Sequence, residues 1–227
     1  MMFNDFVQVK NNILQDEMYY KNTLVLSYKI EYPQFISVSF QKALIRINEI
    51  YKMKALAYQN YCRKNLYNQA VALYEDSVAN GFPIRAFDSV VAYEVTYNMD
   101  CTLSLYFDKY EFMGGAHGNT IRSSDTWNLQ NGRRIMLSQM FARSVHYKAY
   151  IMQEINNQIA KTIANGENIY FEDYEKNVAE YFNPESFYLT QAGVIIYYQQ
   201  YEIAPYSTGI PEFTIPYTKG IVRHPRC

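Results

Sequence analysis

The sequence predicts an α+β fold in which antiparallel β-sheets pack against one long N-terminal helix and shorter C-terminal helices. Tyrosine is unusually frequent, with 24 residues in a chain of 227, and tyrosine favours half-buried positions on a pleated sheet. Several segments alternate apolar and polar residues with a period of two, which is typical of strands. Other segments repeat apolar residues every three or four positions, which is typical of helices. Because the strands occur in blocks, the order favours α+β over alternating βαβ units.

The first element predicted is a strand in TLVLSYKIEYP, residues 23–33. Leu26, Tyr28 and Ile30 fall on one face of this segment, and Pro33 is expected to end it. Apolar residues then recur at helical spacing from position 40 to position 73. This pattern predicts one long helix that lies across a sheet and is ended by ANGFP at 79–83, since glycine and proline stop helices.

The clearest strand signal lies in VVAYEVTYNMD and CTLSLYFDKY, residues 90–110, where alternation continues through both segments. The pattern predicts two adjacent antiparallel strands. Beyond them it predicts a further strand, a hairpin turn at Asn131-Gly132, a helix over 147–163, a short helix near 174–182, a hairpin turning near Ala192-Gly193 and a last strand around 213–215. The final residues, from 218 onward, are expected to be frayed.

Composition excludes several classes of function. The formal net charge is −1, and basic and acidic residues are interspersed, so we expect no nucleic-acid partner. The first 20 residues contain no signal-peptide pattern, and no apolar run approaches the roughly 20 residues that a membrane-spanning helix needs. From the residues alone, the expected location is therefore cytoplasmic, with no membrane span.

The three cysteines, Cys62, Cys101 and Cys227, are widely spaced and form no CxxC pair. An odd number at such spacings predicts free thiols rather than a disulfide framework or a zinc knuckle. No histidine spacing typical of a metal site is present, so we expect neither a metal nor a cofactor.

The segment EFMGGAHGNT, residues 111–120, places His117 among Gly114, Gly115 and Gly118. A histidine in such a loop could act as a metal ligand or as an acid–base group. Alternatively, the glycines supply positive-φ positions in a connection between strands, and His117 bonds to nearby backbone. The second interpretation is favoured, because no serine or cysteine lies in an activating context. No catalytic residue is therefore assigned.

Two alternative functions are a carbohydrate-active hydrolase, using His117 and a nearby carboxylate, and a cytoplasmic protein of unknown partner. Glycoside hydrolysis requires two carboxylates about 5 to 10 Å apart, and the candidates near strand ends are Glu94, Glu111, Asp125 and Glu202. Each is also an ordinary residue for the solvent face of a strand. The sequence offers no positive evidence for this alternative.

Clustered tyrosines are the leading candidate for a binding surface. Tyr197, Tyr201 and Tyr206 lie close together in YYQQYEIAPYSTG, and Tyr110 precedes the glycine loop. Exposed tyrosines stack on sugar rings or anchor a protein partner. Alternating tyrosines would equally line a core, so both interpretations stay open.

Three segments together resemble a known family. They are YEFMGGAHGNT at 110–120, WNLQNGRRIMLSQMF at 127–141 and FYLTQAGVIIYYQQYEIAPYSTGIPEFTIPY at 187–217. Their order resembles bacterial proteins that pair a PdaC-like region, domain of unknown function 4163, with a domain of unknown function 3298. The extracellular sensing part of the anti-sigma factor RsiV and the non-catalytic part of a peptidoglycan deacetylase belong to this group.

The resemblance implies two closely packed regions, a PdaC-like (DUF4163-type) region over 20–127 and a DUF3298-type region over 128–220. It also implies a location at the cell envelope or outside the cell, and a partner that is lysozyme-like or a peptidoglycan glycan. The sequence shows neither the membrane helix of the anti-sigma factor nor the catalytic domain of the deacetylase. The function expected from the resemblance is therefore that of a non-enzymatic binding module.

Overall fold

The structure is a computed structural model that describes residues 6–227. Its strands in chain order are β1 (Gln8–Tyr20), β2 (Thr23–Ile36), β3 (Phe87–Met99), β4 (Thr102–Phe112), β5 (Asn119–Asn128), β6 (Arg133–Arg134), β7 (Phe187–Leu189), β8 (Gly193–Tyr197) and β9 (Glu212–Pro216). The helices are α1 (Gln41–Tyr61), α2 (Tyr67–Asn80), α3 (Tyr147–Ala164) and α4 (Tyr174–Glu180). The predicted α+β fold class is confirmed.

The strands form two sheets. The larger has six strands in the order β1-β2-β3-β4-β5-β6, and the smaller has the order β7-β8-β9. Two hairpins of the large sheet turn through two residues with positive φ, Lys21 and Asn22 in one and Asp100 and Cys101 in the other. This is the turn geometry that matches the natural twist of antiparallel strands. The pairing of β2 with β3 is parallel, because the long helix carries the chain back between them.

The long helix forms as predicted. A π-helical turn at Cys62–Leu66 joins α1 to α2 without a break, and Gly81 ends α2 in the left-handed conformation with φ of 70°. Its buried residues, among them Leu66 and Ala70, pack against Leu26 and other residues of β2 and β3. The helix therefore covers one face of the sheet, as its apolar periodicity requires.

The chain divides into two compact units, which we describe separately. The first unit contains Val7–Tyr93 and Phe107–Ile121, and the second contains Glu94–Tyr106 and Arg122–Cys227. The unit limits fall inside β3, β4 and β5. The core of the second unit is formed by the inner face of the small sheet together with α3 and α4, with Ile151, Ile155 and Ile159 fully buried.

One strand was missed and one predicted strand limit was wrong. Strand β1 was not predicted, because its sequence QVKNNILQDEMYY is polar and leaves most of its residues exposed or half-buried. Such polar residues are typical of an edge strand. Strand β2 continues past Pro33 to Ile36, and Pro33 pairs opposite Asn11 of the edge strand.

The prediction of three free thiols was also wrong. Cys101 and Cys227 form a disulfide with Cα atoms 5.1 Å apart, and only Cys62 is free. The two cysteines are separated by 126 positions, so their pairing leaves no local spacing signal. The predicted fraying of the last residues was also wrong. The disulfide anchors Cys227, Val222 is buried, and Arg223 N–H donates to the Met140 carbonyl at 2.7 Å.

Candidate functional site

The glycine loop lies in the first unit, between β4 and β5. Gly114 has a φ of +80°, and a Cβ built on Gly118 would lie 2.3 Å from Cε2 of Tyr110. His117 is exposed, and its Nδ1 lies 3.0 Å from the Gly118 carbonyl oxygen. Because a carbonyl only accepts, Nδ1 is the donor of this bond. The prediction that His117 bonds to nearby backbone is confirmed.

The loop is further held by Arg85, whose Nη1 donates to the Gly115 carbonyl at 2.8 Å. Of the three glycines, only Gly114 needs a positive φ. Gly118 is required instead for space, because it is buried against the Tyr110 ring. Tyr110, a predicted binding residue, thus contributes packing at the base of the loop.

A second polar cluster of the first unit surrounds Tyr58 on α1. The Tyr58 hydroxyl donates to Glu111 Oε1 at 2.5 Å and lies 2.7 Å from Ser89 Oγ. Lys109 pairs with the same Glu111 oxygen at 3.2 Å. Cys62 Sγ lies 3.9 Å from Ser89 Oγ, and burial raises the pKa of the Cys62 thiol to about 11. Because the thiolate is the reactive form, this buried cysteine stays an unreactive thiol at neutral pH.

The four predicted carboxylates all hold bonds within the fold. Glu94 accepts from the Tyr106 hydroxyl at 2.5 Å, and Glu111 accepts from Tyr58. Asp125 is buried and pairs with Arg134. Glu202 accepts from the Gln199 N–H at 2.6 Å, and burial raises the pKa of its carboxyl.

The predicted tyrosine cluster of the second unit separates into a buried and an exposed part. Tyr197 is 3% exposed and lies in β8, whereas Tyr201 is 51% exposed. The rings of Tyr201 and Tyr206 have centroids 5.8 Å apart and planes inclined by 32°. Tyr201 has a φ of 68°, a backbone conformation that is unfavourable for a bulky residue.

Sequence reasoning did not identify Arg122. This residue contacts an aromatic cluster on the face of the small sheet opposite to the one that packs against α3 and α4. The Arg122 side chain is 9% exposed and pairs with Glu212. Its guanidinium lies 3.7 Å from the centre of the Tyr106 ring, and the Tyr106 and Tyr188 rings lie 5.1 Å apart. Arg122 and Glu212 are 90 positions apart, so no motif in the sequence indicates the pair.

Arg122 also joins this cluster to the tyrosine loop. Its backbone N–H donates to Gln199 Oε1 at 2.9 Å, and Gln199 Nε2 donates to the Arg122 carbonyl at 2.8 Å. These two bonds fix Gln199, two residues before Tyr201. Within residues 6–227, no cluster of three or more histidine, cysteine or acidic side chains is arranged to hold a metal ion.

The fold belongs to the α+β class. In chain order, the sheet covered by the long helix precedes a small three-stranded sheet, and the loop that carries Tyr201 follows β8 of that small sheet. Residues 20–120 match the family model described as deacetylase PdaC. Residues 138–218 match the model of a protein of unknown function, DUF3298. The chain therefore carries a PdaC-like region followed by a DUF3298 region, and the corresponding part of the predicted resemblance is confirmed.

Two crystal structures share the fold. A DUF3298 family member from Bacteroides fragilis NCTC 9343 is similar with a TM-score of 0.73 and 17% identity, over 98% of this chain and 96% of that chain. A DUF3298 family protein from Pseudomonas aeruginosa PAO1 is similar with a TM-score of 0.60 and 21% identity, over 95% of each chain. At these identities the likeness concerns the fold alone. No curated protein matches the chain.

Among the helices that the structure describes, none is both long and apolar enough to cross a membrane.

Proposed function

We propose that the chain is a non-enzymatic binding module that recognises a cell-envelope ligand through Tyr201 and Tyr206. The observation that carries the proposal is the exposed Tyr201 ring, held beside Tyr206 by a backbone in the left-handed region. A bulky residue in this conformation costs about 1–2 kcal/mol. Strained residues of this kind cluster at binding and active sites, and a pair of neighbouring rings offers a platform for a sugar ring or an apolar side chain.

The loop that carries the two tyrosines is held by the core of the second unit. Ile203 and Ala204 are 0% and 1% exposed, the Ile203 carbonyl accepts from the Phe171 N–H at 3.1 Å, and Thr208 Oγ1 donates to the Ile169 carbonyl at 2.8 Å. A platform whose backbone is already ordered loses less conformational entropy when it binds. This rigidity favours recognition over a purely structural role.

A cell-envelope location is part of the proposal. The Cys101–Cys227 disulfide supports it, because disulfides persist in oxidising compartments and are rare in the cytosol. The resemblance to the DUF4163-type region and to the sensing part of RsiV points in the same direction. Peptidoglycan is the ligand we favour, since its glycan strands present flat sugar faces to an aromatic platform.

Sedimentation with purified peptidoglycan sacculi tests this function. The Tyr201→Ala/Tyr206→Ala variant is expected to bind at least about tenfold more weakly than the wild type, as hot-spot tyrosines do. Tyr181→Ala is the matched control, since Tyr181 is 42% exposed at the end of α4 in the same unit and should bind like the wild type. Equal retention of all three proteins would exclude the tyrosine platform.

A protein partner such as lysozyme is the second candidate, favoured by the enrichment of tyrosine at protein interfaces. Retention of the wild type on immobilised lysozyme, but not on sacculi, would assign this partner. Absence of binding to both ligands would reject the envelope function. In this proposal Tyr197 supports β8 from the core, and Tyr110 and His117 maintain the glycine loop, so His117→Ala should leave binding unchanged.

A further inference from the structure

A cleft in the second unit is lined almost entirely by residues near the end of the chain. Its volume is about 640 Å³, and its wall is formed by Ala142, Tyr217, Lys219, Gly220, Val222, Arg223, His224 and Arg226. Three of these eight residues are lysine or arginine, one is histidine and none is acidic. In a chain whose formal net charge is −1, this is a local excess of positive charge.

The cationic side chains of the cleft are not neutralised by the fold. Within residues 6–227, Lys219, Arg223 and Arg226 form no ion pair or side-chain hydrogen bond. The charge of Asp100 acts on one residue of the cleft, Tyr217, whose pKa is raised first by burial and then by Asp100. Asp100 already accepts a bond from the Tyr97 hydroxyl at 2.7 Å. Lys219, Arg223 and Arg226 therefore place three positive charges, without ion pairs in the described part of the chain, on the wall of the cleft.

The backbone that carries these cations is fixed at both ends. Thr218 N–H donates to the Val222 carbonyl at 3.1 Å, and Val222 N–H donates back to Thr218 at 2.9 Å, which closes the turn through Gly220. The N–H groups of Ala142 and Arg223 add bonds to the Ile221 and Met140 carbonyls. Exposed basic tails are ordinarily mobile, whereas the backbone of this one is held in place by these bonds.

Three further contacts complete the fixation. The His224 ring stacks on the Tyr217 ring with centroids 4.1 Å apart, and the Tyr217 hydroxyl donates to the Thr190 carbonyl at 3.0 Å. The Cys227 end of the segment is bonded to Cys101. These contacts and the disulfide hold the segment at both Tyr217 and Cys227.

We propose that this cleft is a binding site for a phosphate-bearing anion, distinct from the tyrosine platform and independent of its function. Guanidinium groups bind phosphate oxygens in pairs with fixed geometry, and an ammonium group adds a point charge. Two arginines and a lysine carry more charge than a single carboxylate neutralises, so the cleft fits a phosphate group better than a lone carboxylate. The partner is an envelope polymer or lipid headgroup that carries phosphate, or a free phosphate compound.

Titration calorimetry with inorganic pyrophosphate tests the site directly. The wild type is expected to bind saturably below about 10 mM, a weak but measurable affinity. Arg223→Gln/Arg226→Gln should weaken binding about tenfold or more, because the variant loses the charged hydrogen bonds from both guanidinium groups to the phosphate oxygens. Lys161→Gln/Lys176→Gln is the matched control, which removes two exposed cations of α3 and α4 that do not line the cleft, and it should bind like the wild type.

Two comparisons distinguish the source of the phosphate. Sedimentation with vesicles of phosphatidylglycerol, against vesicles of phosphatidylcholine alone, identifies a lipid headgroup if only the anionic vesicles retain the wild type. Binding of pyrophosphate without retention on vesicles identifies a soluble or polymer-borne phosphate. Succinate in place of pyrophosphate checks the preference for phosphate, and equally strong binding of both would overturn it.

The proposal fails if pyrophosphate binds equally to the wild type and to the arginine variant, or if no saturable binding occurs in this range. Thermal unfolding of each variant establishes that it is folded. If the arginine variant is not folded, Lys219→Gln/His224→Gln takes its place, with the same weakening expected and equal binding again overturning the site.

Discussion

Gly118 lies against the Tyr110 ring so closely that a Cβ at Gly118 would come within 2.3–2.5 Å of three of the ring's terminal atoms. The glycine is buried, and its φ is not positive. Its role is therefore to let the backbone approach the ring, rather than to reach an unusual conformation. This contact joins the glycine loop to β4.

Gly118→Ala is expected to destabilise the protein by about 1–3 kcal/mol, since an added methyl group forces the ring to move. Gly115→Ala is the matched control in the same loop, because a Cβ at Gly115 would lie 4.0 Å from the His117 carbonyl oxygen, an ordinary van der Waals distance. Urea unfolding of the two variants measures the difference. Equal free energies of unfolding would show that the Tyr110 contact does not constrain the loop.

The Cys101–Cys227 disulfide closes a loop with a sequence separation of 126. Cross-links of long loops stabilise chiefly by restricting the unfolded chain, so we expect Cys101→Ser/Cys227→Ser to cost about 2–5 kcal/mol. Urea unfolding measures this cost, and the pairing is checked by alkylation and mass spectrometry of the unfolded, non-reduced protein, where only Cys62 should react.

Cys62→Ser serves as the comparison for the disulfide variant, because it removes the remaining thiol without opening the cross-link. Reducing agent should lower the stability of Cys62→Ser and of the wild type, but leave Cys101→Ser/Cys227→Ser unchanged. Reaction of all three cysteines in the unfolded, non-reduced wild type would contradict the disulfide.

Local sequence patterns were sufficient to predict the strands and helices in which buried side chains recur at a regular spacing. The alternation through Leu26, Tyr28 and Ile30 predicted β2, because one face of that strand is buried by the helix. The helical period from Phe40 to Leu73 predicted the long helix for the same reason. Where one face of an element enters a core, its period is visible in the sequence.

The features that were not predicted depend on residues distant in the chain. Strand β1 lies at an edge and has no strongly apolar face, so its period is weak. The pairs Cys101–Cys227 and Arg122–Glu212 are brought together by the fold across 126 and 90 positions. The glycine loop, in contrast, was interpreted correctly in part, because the bond of His117 to Gly118 is local.

The tyrosine loop should respond to pH through Glu202. Burial raises the pKa of this carboxyl above its ordinary value, although the bond from the Gln199 N–H lowers it in part. The folded state therefore holds the proton more tightly than the unfolded state does. The contribution of Glu202 to stability is fully present below the unfolded pKa of about 4.3 and is lost as the pH rises through the raised pKa.

Glu202→Gln should remove this dependence while keeping an oxygen that accepts from Gln199. The free energy of unfolding of the wild type minus that of the variant is expected to fall as the pH rises from about 4 to 7. Urea unfolding at several pH values measures this difference. The contributions of the other carboxylates cancel in it, because they are the same in both proteins. A difference that stays constant or increases over this range would contradict the raised pKa.

Arg122 provides the most specific test of the aromatic cluster of the second unit. Its planar guanidinium lies 3.7 Å from the centre of the Tyr106 ring and pairs with Glu212. Lysine keeps the charge, but it has neither the flat face that stacks on an aromatic ring nor the paired donors that match a carboxylate. We therefore expect Arg122→Lys to destabilise the protein by about 1–3 kcal/mol, the range of a lost buried charged hydrogen bond.

Arg133→Lys is the matched control, because Arg133 is an exposed arginine at the hairpin between β5 and β6 of the same unit. Exposed substitutions of this kind change stability by less than about 0.5 kcal/mol. Ligand binding by the tyrosine loop should stay unchanged in Arg122→Lys, since the bonds to the Gln199 side chain at 2.8 and 2.9 Å are made by the backbone of residue 122. If Arg122→Lys were as stable as Arg133→Lys, the positive charge alone would account for the contribution of Arg122 to stability. The stacking of the guanidinium on the Tyr106 ring would then have no energetic role.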